Sequence, residues 1–184
     1  PAGRILAYID FSYNTYYHSK TGFIGFFECP DHQPGAERLF QQAETWLKEK
    51  GMFQVIGPMN FSIGNECGLQ LNGYSTVPYL QMNHTPPYYV DLFEKSGYTK
   101  AHDLYAYKLI VEEAIHHQIL PRLNTITTYI RQQRGLSFRR VNMKKYILEL
   151  ERINSIFNHA LRENRGFVPP STAELRFTAE ALKM

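Results

Sequence analysis

The chain has 184 residues, 43% of them apolar, which is enough to bury the core of one domain or one and a fraction and excludes wholesale disorder. Its mean hydropathy is −0.38, no run approaches the ~20 apolar residues needed to cross a bilayer, and no basic stretch leads into an apolar one as an export signal would. The net charge of +3 hides an asymmetry: residues 1–120 carry 8 Lys or Arg against 12 Asp or Glu, whereas residues 121–184 carry 12 against 5.

Taken in chain order, Arg4 to Phe11 is β-branched and aromatic and predicts a strand that continues towards Tyr16. Lys20-Thr21-Gly22 is a turn, and Phe23 to Cys29 is a nearly all-apolar run, the pattern of a strand buried on both faces. Pro34 suits a first helical turn. The helix after it spaces Leu39, Phe40, Ala43, Trp46 and Leu47 on one face and stops at Gly51. Phe53 to Gly57 is a short strand, so strand, helix and strand form a βαβ unit whose two strands are parallel neighbours. Residues 58–85 are irregular and rich in Asn, Gly, Pro and Tyr, a loop length that is usually functional or lacks a partner.

Pro86 to Tyr98 is a short helix ended by Gly97, and Asp103 to Val111 predicts a returning strand. A helix runs from about Pro121 to Arg134, followed by a candidate strand from Leu136 to Val141. Asn142 caps a helix whose Ile147, Leu150, Ile153, Phe157 and Leu161 share a face, and Ser171 with Glu174 is a capping box opening a last helix. The chain begins at Pro1 without Met and its last helix carries no stop signal, so it is expected to be processed or a piece of something longer.

The segment Leu92-Phe93-Glu94-Lys95-Ser96-Gly97-Tyr98, placed after strand, helix and strand, resembles the Leu-Tyr-Glu-Lys-x-Gly-Phe segment of GNAT-type N-acetyltransferases. The strings Lys20 to Glu28, Gly57 to Ser62, Glu66-Cys67-Gly68 and Asn164 to Pro169 are similar to those of a bacterial group of tandem GNAT-like proteins. The resemblance implies an α/β fold with a mixed, mostly antiparallel sheet flanked by helices. Residues 1–111 would be the C-terminal part of one GNAT-like domain, 112–135 a connecting helix, and 136–184 the start of a second unit. That second unit would complete the first, within one chain or by exchange in a homodimer.

The implied reaction is transfer of an acyl group from acetyl-CoA or another acyl-CoA to an amine in the bacterial cytoplasm, with no membrane partner. The family holds the CoA pyrophosphate on backbone N–H groups at a helix start, in a loop reading Arg/Gln-x-x-Gly-x-Gly/Ala. Here Gln33, Gly35, Ala36 and Arg38 occupy that place. Ala36 and Arg38 stand at the glycine positions, and Pro34 removes a donor. These four residues form either a weaker anion cradle or an ordinary helix start. Phe93 replaces the family's thiolate-protonating tyrosine, leaving Tyr88, Tyr89 or Tyr98 as substitutes or as core aromatics.

Read from the residues themselves, Glu28 ends the buried strand, where desolvation is expected to raise its pKa and suit it as general base. Cys29, Asn60, Ser62, Glu66 and Cys67 gather with it at the carboxyl ends of the parallel strands, where open α/β sheets bind ligands, or else they bond the loop's own backbone. Cys29, Asn60 and Ser62 are candidate cofactor contacts, and His32 and His84 add titrating groups. No metal is expected: His116 and His117 diverge, and two cysteines without a spaced histidine make no zinc site. Those two cysteines also make no disulfide scaffold and suit a reducing compartment. Arg131, Arg134, Arg139, Arg140, Lys144 and Lys145 form a basic tract outside any recognised nucleic-acid motif. Solvated helix faces are the expectation there, with nucleic-acid contact through this basic third as the weaker alternative. A catalytically silent GNAT-like binding module is the rival to the enzyme.

Overall fold

The computed structural model describes residues 3–79, 82–108, 110, 112, 119–134 and 139–181. The chain divides into two units: one comprises residues up to Asp103 with Asn158–Thr172, the other Leu104–Phe157 with the residues from Ala173 on. The first is mixed α/β, with a small three-stranded sheet in the order β1-β2-β3 flanked by helices.

β1 (Arg4–Tyr8) pairs antiparallel with β2 (Thr21–Glu28), and β2 pairs parallel with β3 (Gln54–Ile56), as the strand–helix–strand pattern predicts. The described sheet therefore holds one antiparallel and one parallel pairing. From Thr21 to Phe27 every residue of β2 is buried except the half-buried Phe26, the pattern expected of a strand covered on both faces. Gly22 is required for this cover, because a Cβ there would meet the Leu47 side chain that seats on the strand.

The connecting helix is α2 (Gln33–Glu49). His32 caps it through Nδ1, which accepts the Gly35 N–H at 3.0 Å, and Pro34 follows in the first turn. Its buried stripe is Ala36, Phe40, Ala43 and Leu47, so Trp46, expected on that face, is instead 40% exposed. α3 (Tyr88–Lys95) adds Tyr89, Leu92 and Phe93. The rings of Phe27, Phe40 and Phe93 close the core, with Phe27–Phe40 stacked at 5.0 Å and Phe40–Phe93 edge-on at 4.7 Å. Such pairs add roughly 0.5–1.5 kcal/mol beyond area burial.

The first strand does not continue to Tyr16. α1 (Phe11–Tyr16) replaces it, because the Asp10 carboxylate accepts the Tyr13 N–H at 2.9 Å and starts a helix. Nor do residues 103–108 and 110 form a strand; Leu104, Tyr105 and Tyr107 are 59%, 75% and 90% exposed. Among the described residues no strand lies beside them to pair with, and propensity alone does not make a ladder. Leu109 and Val111 lie outside the described residues.

The second unit holds α4 (Ile119–Arg134), a 3₁₀ turn at Met143–Lys145, most of α5 (Tyr146–Leu161) and most of α6 (Thr172–Ala181). Asn142 caps the turn, its Oδ1 accepting the Lys144 N–H at 3.0 Å, and α6 begins one residue after Ser171. Arg139, Arg140 and Val141 carry no strand; Leu136 to Phe138 of that predicted strand lie outside the described residues. Of the α5 stripe, Ile147, Ile153 and Phe157 are each about half exposed, near 50%. Among the described residues of this unit, Glu149 alone is buried.

Candidate functional site

Parallel pairing of β2 with β3 ends at Phe23 and Ile56, and beyond that point the two segments are joined by other means. The Met59 N–H donates to the Ile24 carbonyl at 2.8 Å. The next free donor on β2, the Phe26 N–H, is taken by Asn60 Oδ1 at 2.7 Å. Phe26 holds φ +48, and between the pairs Leu6–Gly25 and Arg4–Glu28 the β2 strand carries one residue more than β1. This is a β-bulge on β2, with a phenylalanine in the left-handed region that glycine favours. Such strain persists where surrounding contacts over-determine it, and the Asn60 side chain is one of those contacts.

Asn60 is also the root of an arch over residues 58–68. Its N–H and Nδ2 donate to the Glu66 carbonyl and carboxylate at 2.9 and 3.2 Å, and its carbonyl accepts from Asn65 Nδ2 at 3.0 Å. Gly68 N–H closes the arch on the Pro58 carbonyl at 2.7 Å, and Tyr8 donates its hydroxyl to the Met59 carbonyl at 3.1 Å. Gly25 lets the arch lie on β2, since a Cβ there would collide with the Met59 carbonyl. Asn83 Nδ2 donates to the Cys67 and Gly68 carbonyls, so the segment before α3 runs beside the arch.

These pieces enclose a cleft of about 560 Å³ at the carboxyl ends of β2 and β3. Arg4, Glu28, Asn60, Glu66, Asn83, His84, Thr85 and Tyr89 provide its polar groups, and Phe26, Phe27, Pro58 and Pro86 its apolar wall. Of the residues singled out in the sequence, Glu28, Asn60, Glu66, His84 and Tyr89 meet here. Arg4 and Asn83 join them without a sequence signal of their own. An N-terminal arginine becomes a cleft residue only through the antiparallel register that sets it opposite Glu28, and no local pattern marks that register.

Glu28 differs from its expectation. Its side chain is 63% exposed and accepts Arg4 Nη2 at 2.5 Å, so it is a solvated, ion-paired carboxylate rather than a desolvated one. The reason is that β2 emerges from the core after Phe27, and Glu28 is its first residue outside.

Tyr88 and Tyr89 between them hold both backbone polar groups of Cys29. The Tyr88 hydroxyl donates to the Cys29 carbonyl at 3.1 Å, and the Tyr89 hydroxyl oxygen accepts the Cys29 N–H at 3.2 Å. Burial raises the Tyr89 pKa, opposed in part by that N–H, so the phenol stays protonated at neutral pH while its oxygen is already held. Burial likewise raises the pKa of the thiols of Cys29 and Cys67, which suits inert cysteines more than nucleophiles.

The start of α2 stands apart from the cleft lining. The Gly35 N–H is taken by His32, the Ala36 N–H donates to the His32 carbonyl at 3.1 Å, and Ala36 is fully buried. Gln33 Nε2 bonds Glu37 and Ser96 at 3.1 and 3.0 Å, and Arg38 is exposed. Two of the backbone donors expected to cradle phosphates are therefore already used. Ser62 lies exposed on the arch, and its carbonyl accepts the Asn65 N–H at 3.1 Å. Phe93 is buried against Phe27 and Phe40. His116 and His117 lie outside the described residues, among which no group of three His, Cys, Asp or Glu is placed to hold a metal ion.

Fold and site together define a mixed α/β protein with a small-molecule-sized cleft at the carboxyl ends of a parallel strand pair. The chain is 34% identical over 162 residues to a bacterial ceramide synthase of Caulobacter vibrioides, covering 88% of this chain and 41% of that protein. It is 31% identical over 181 residues to protein YghO of Escherichia coli, covering 98% of this chain and 45% of that one. It thus spans less than half the length of either curated relative. No family model matches the chain, and no solved structure matches it significantly.

Proposed function

We propose that the chain is part of a GNAT-like N-acyltransferase that joins the acyl group of an acyl-CoA to a primary amine. The observation that carries this reading is the cleft itself, which lies beside the β2 bulge at Phe26 and is lined by Glu28, Asn60 and Tyr89. Likeness to a protein named ceramide synthase supports the class of reaction, because a ceramide is an amide of a fatty acid and a long-chain amino alcohol. Such an amino alcohol is the acceptor we propose.

In this reading the amine nitrogen attacks the thioester carbonyl, a C–N bond forms and the C–S bond breaks. Glu28 takes the proton from nitrogen, and Tyr89 gives its proton to the departing thiolate. The Cys29 N–H on the Tyr89 oxygen would stabilise the phenolate so formed. The rest of the site is positioning: Asn60 holds the bulge and the arch.

Calorimetric titration with acetyl-CoA and long-chain acyl-CoAs tests the donor, and no heat at millimolar ligand would overturn it. If binding occurs, Tyr89→Phe should lower amide formation about 10²-fold or more while leaving donor affinity within a few fold. Glu28→Gln should act in the same sense. The rival reading, a silent binding module, is favoured by one observation: His32 already takes two of the α2 donors expected for CoA phosphates, the N–H groups of Gly35 and Ala36. It predicts ligand binding with no amide product from any amine.

A further inference from the structure

The end of the sheet opposite the cleft, where β2 and β3 begin and α2 stops, carries two bare aromatic rings under lysines. Phe53 is 84% exposed and Trp46 is 40% exposed. Lys20 Nζ lies 5.1 Å from the centre of the Phe53 ring, and Lys50 Nζ lies 5.8 Å from that of Trp46. The Phe53 N–H donates to the Lys20 carbonyl at 2.9 Å and the Met52 N–H to the Leu47 carbonyl at 3.0 Å, which ties both pairs to the same end. Lys48 adds a third positive charge, and Glu49 is the only carboxylate between Trp46 and Phe53.

We propose that this end of the first unit docks on an anionic phospholipid surface. Phe53 and Trp46 would enter the headgroup boundary, and Lys20, Lys48 and Lys50 would reach the lipid phosphates. Aromatic rings concentrate at that boundary, and a lysine stem lies along apolar surface while its ammonium stays in the polar layer. Three lysines against one glutamate give the charge match to an anionic leaflet. Two projecting rings, rather than a shaped groove, suit a fluid surface that deforms around them. No helix among the described residues is long and apolar enough to cross a membrane, and a surface contact requires none. The contact lies away from the cleft and does not depend on the acyltransfer reading.

Trp46 is the only tryptophan in the chain, so its emission reports on this edge alone. The full chain is titrated with vesicles of phosphatidylcholine alone or mixed with phosphatidylglycerol. Only the mixed vesicles should shift Trp46 emission to the blue and shield it from an aqueous quencher, and high salt should reverse both effects. Lys20→Glu with Lys50→Glu should weaken partitioning roughly thirtyfold, at about fivefold per lysine lost. Phe53→Ser should weaken it further with no change in far-UV circular dichroism. The proposal fails if emission ignores vesicles, if neutral vesicles bind equally well, or if a short single-stranded DNA produces the same shift. It fails too if the variants bind like the parent. Trp46 already shielded without lipid would also overturn it, since protein would then cover the edge.

Discussion

The two units of this chain solve the problem of stability differently. In the first, strands and helices bury a contiguous apolar core running from Ile24 and Phe27 through Phe40 to Leu92 and Phe93. In the second, the one buried side chain among the described residues is charged: Glu149, held by Arg139 at 2.7 and 3.0 Å and by Arg152 at 2.8 Å. A buried apolar side chain contributes roughly 1.5–3 kcal/mol, whereas an ion pair open to solvent on one side contributes little. The lesson is that helix-forming sequence and helix-stabilising burial are separate properties. The first unit has both, and the described part of the second shows mainly the former.

Core truncation should sharpen that contrast most. Phe40→Ala removes a ring packed on Phe27, Phe93 and Tyr98, and it should cost roughly 3–5 kcal/mol in denaturant unfolding of the first unit. A cost under about 1 kcal/mol would show that the aromatic cluster is not the source of its stability. Next in size is Asn60→Ala, which strands the Phe26 N–H and frees the arch. It should cost about 1–3 kcal/mol and speed amide exchange at Phe26 and Asn65 before it affects the α2 core. Exchange unchanged at Phe26 would remove Asn60 from its structural role.

Much of the first unit is legible in the sequence because its signals are local. The apolar run Phe23 to Phe27, the capped and Pro-led start of α2 and the stop at Gly97 each report their own structure. The α2 face was only partly legible: a stripe at Ala36, Phe40, Ala43 and Leu47 and a neighbouring one through Trp46 differ by a small rotation, and only the sheet decides between them. Asp10 was a cap hidden inside an apolar run. The site was legible in its chemistry and not in its geometry. Glu28, Asn60 and Tyr89 were visible as candidates, but the Phe26 bulge, the Arg4 partnership and the solvation of Glu28 arise from the register of β1 on β2, which no residue encodes alone. The described residues from Asp103 to Lys108 failed for the complementary reason, since strand-forming residues need a strand beside them.

A smaller effect probes the charged residue of the second unit. Hydrogen bonding from Arg139, followed by its charge and that of Arg152, holds the Glu149 carboxyl below the ordinary carboxylate range. A group with a lowered folded-state pKa contributes stability above its unfolded value, and loses it as pH falls through the folded one. Circular dichroism of the helices should therefore weaken modestly as pH drops below about 4, and Glu149→Gln should flatten that part of the profile. Arg139 and Arg152 are more than half exposed, so the change should also shrink in high salt. An identical acid profile in Glu149→Gln would mean that this cluster does not hold the helices.

The smallest expected effect sets the contrast with Phe40. Ile156 on α5 is 70% exposed, so truncation removes little buried area, and alanine is the better helix former. Ile156→Ala should therefore change stability by no more than about 0.5 kcal/mol in either direction, as surface substitutions do. The measurement is the same denaturant titration used for Phe40→Ala, read by helical signal. A loss above about 1 kcal/mol would contradict the exposure of this face, because only a side chain buried in solution can lose that much on truncation. The two units would then share one rule of stability, and the difference between them would lie in what packs on α5 rather than in how its helices are made.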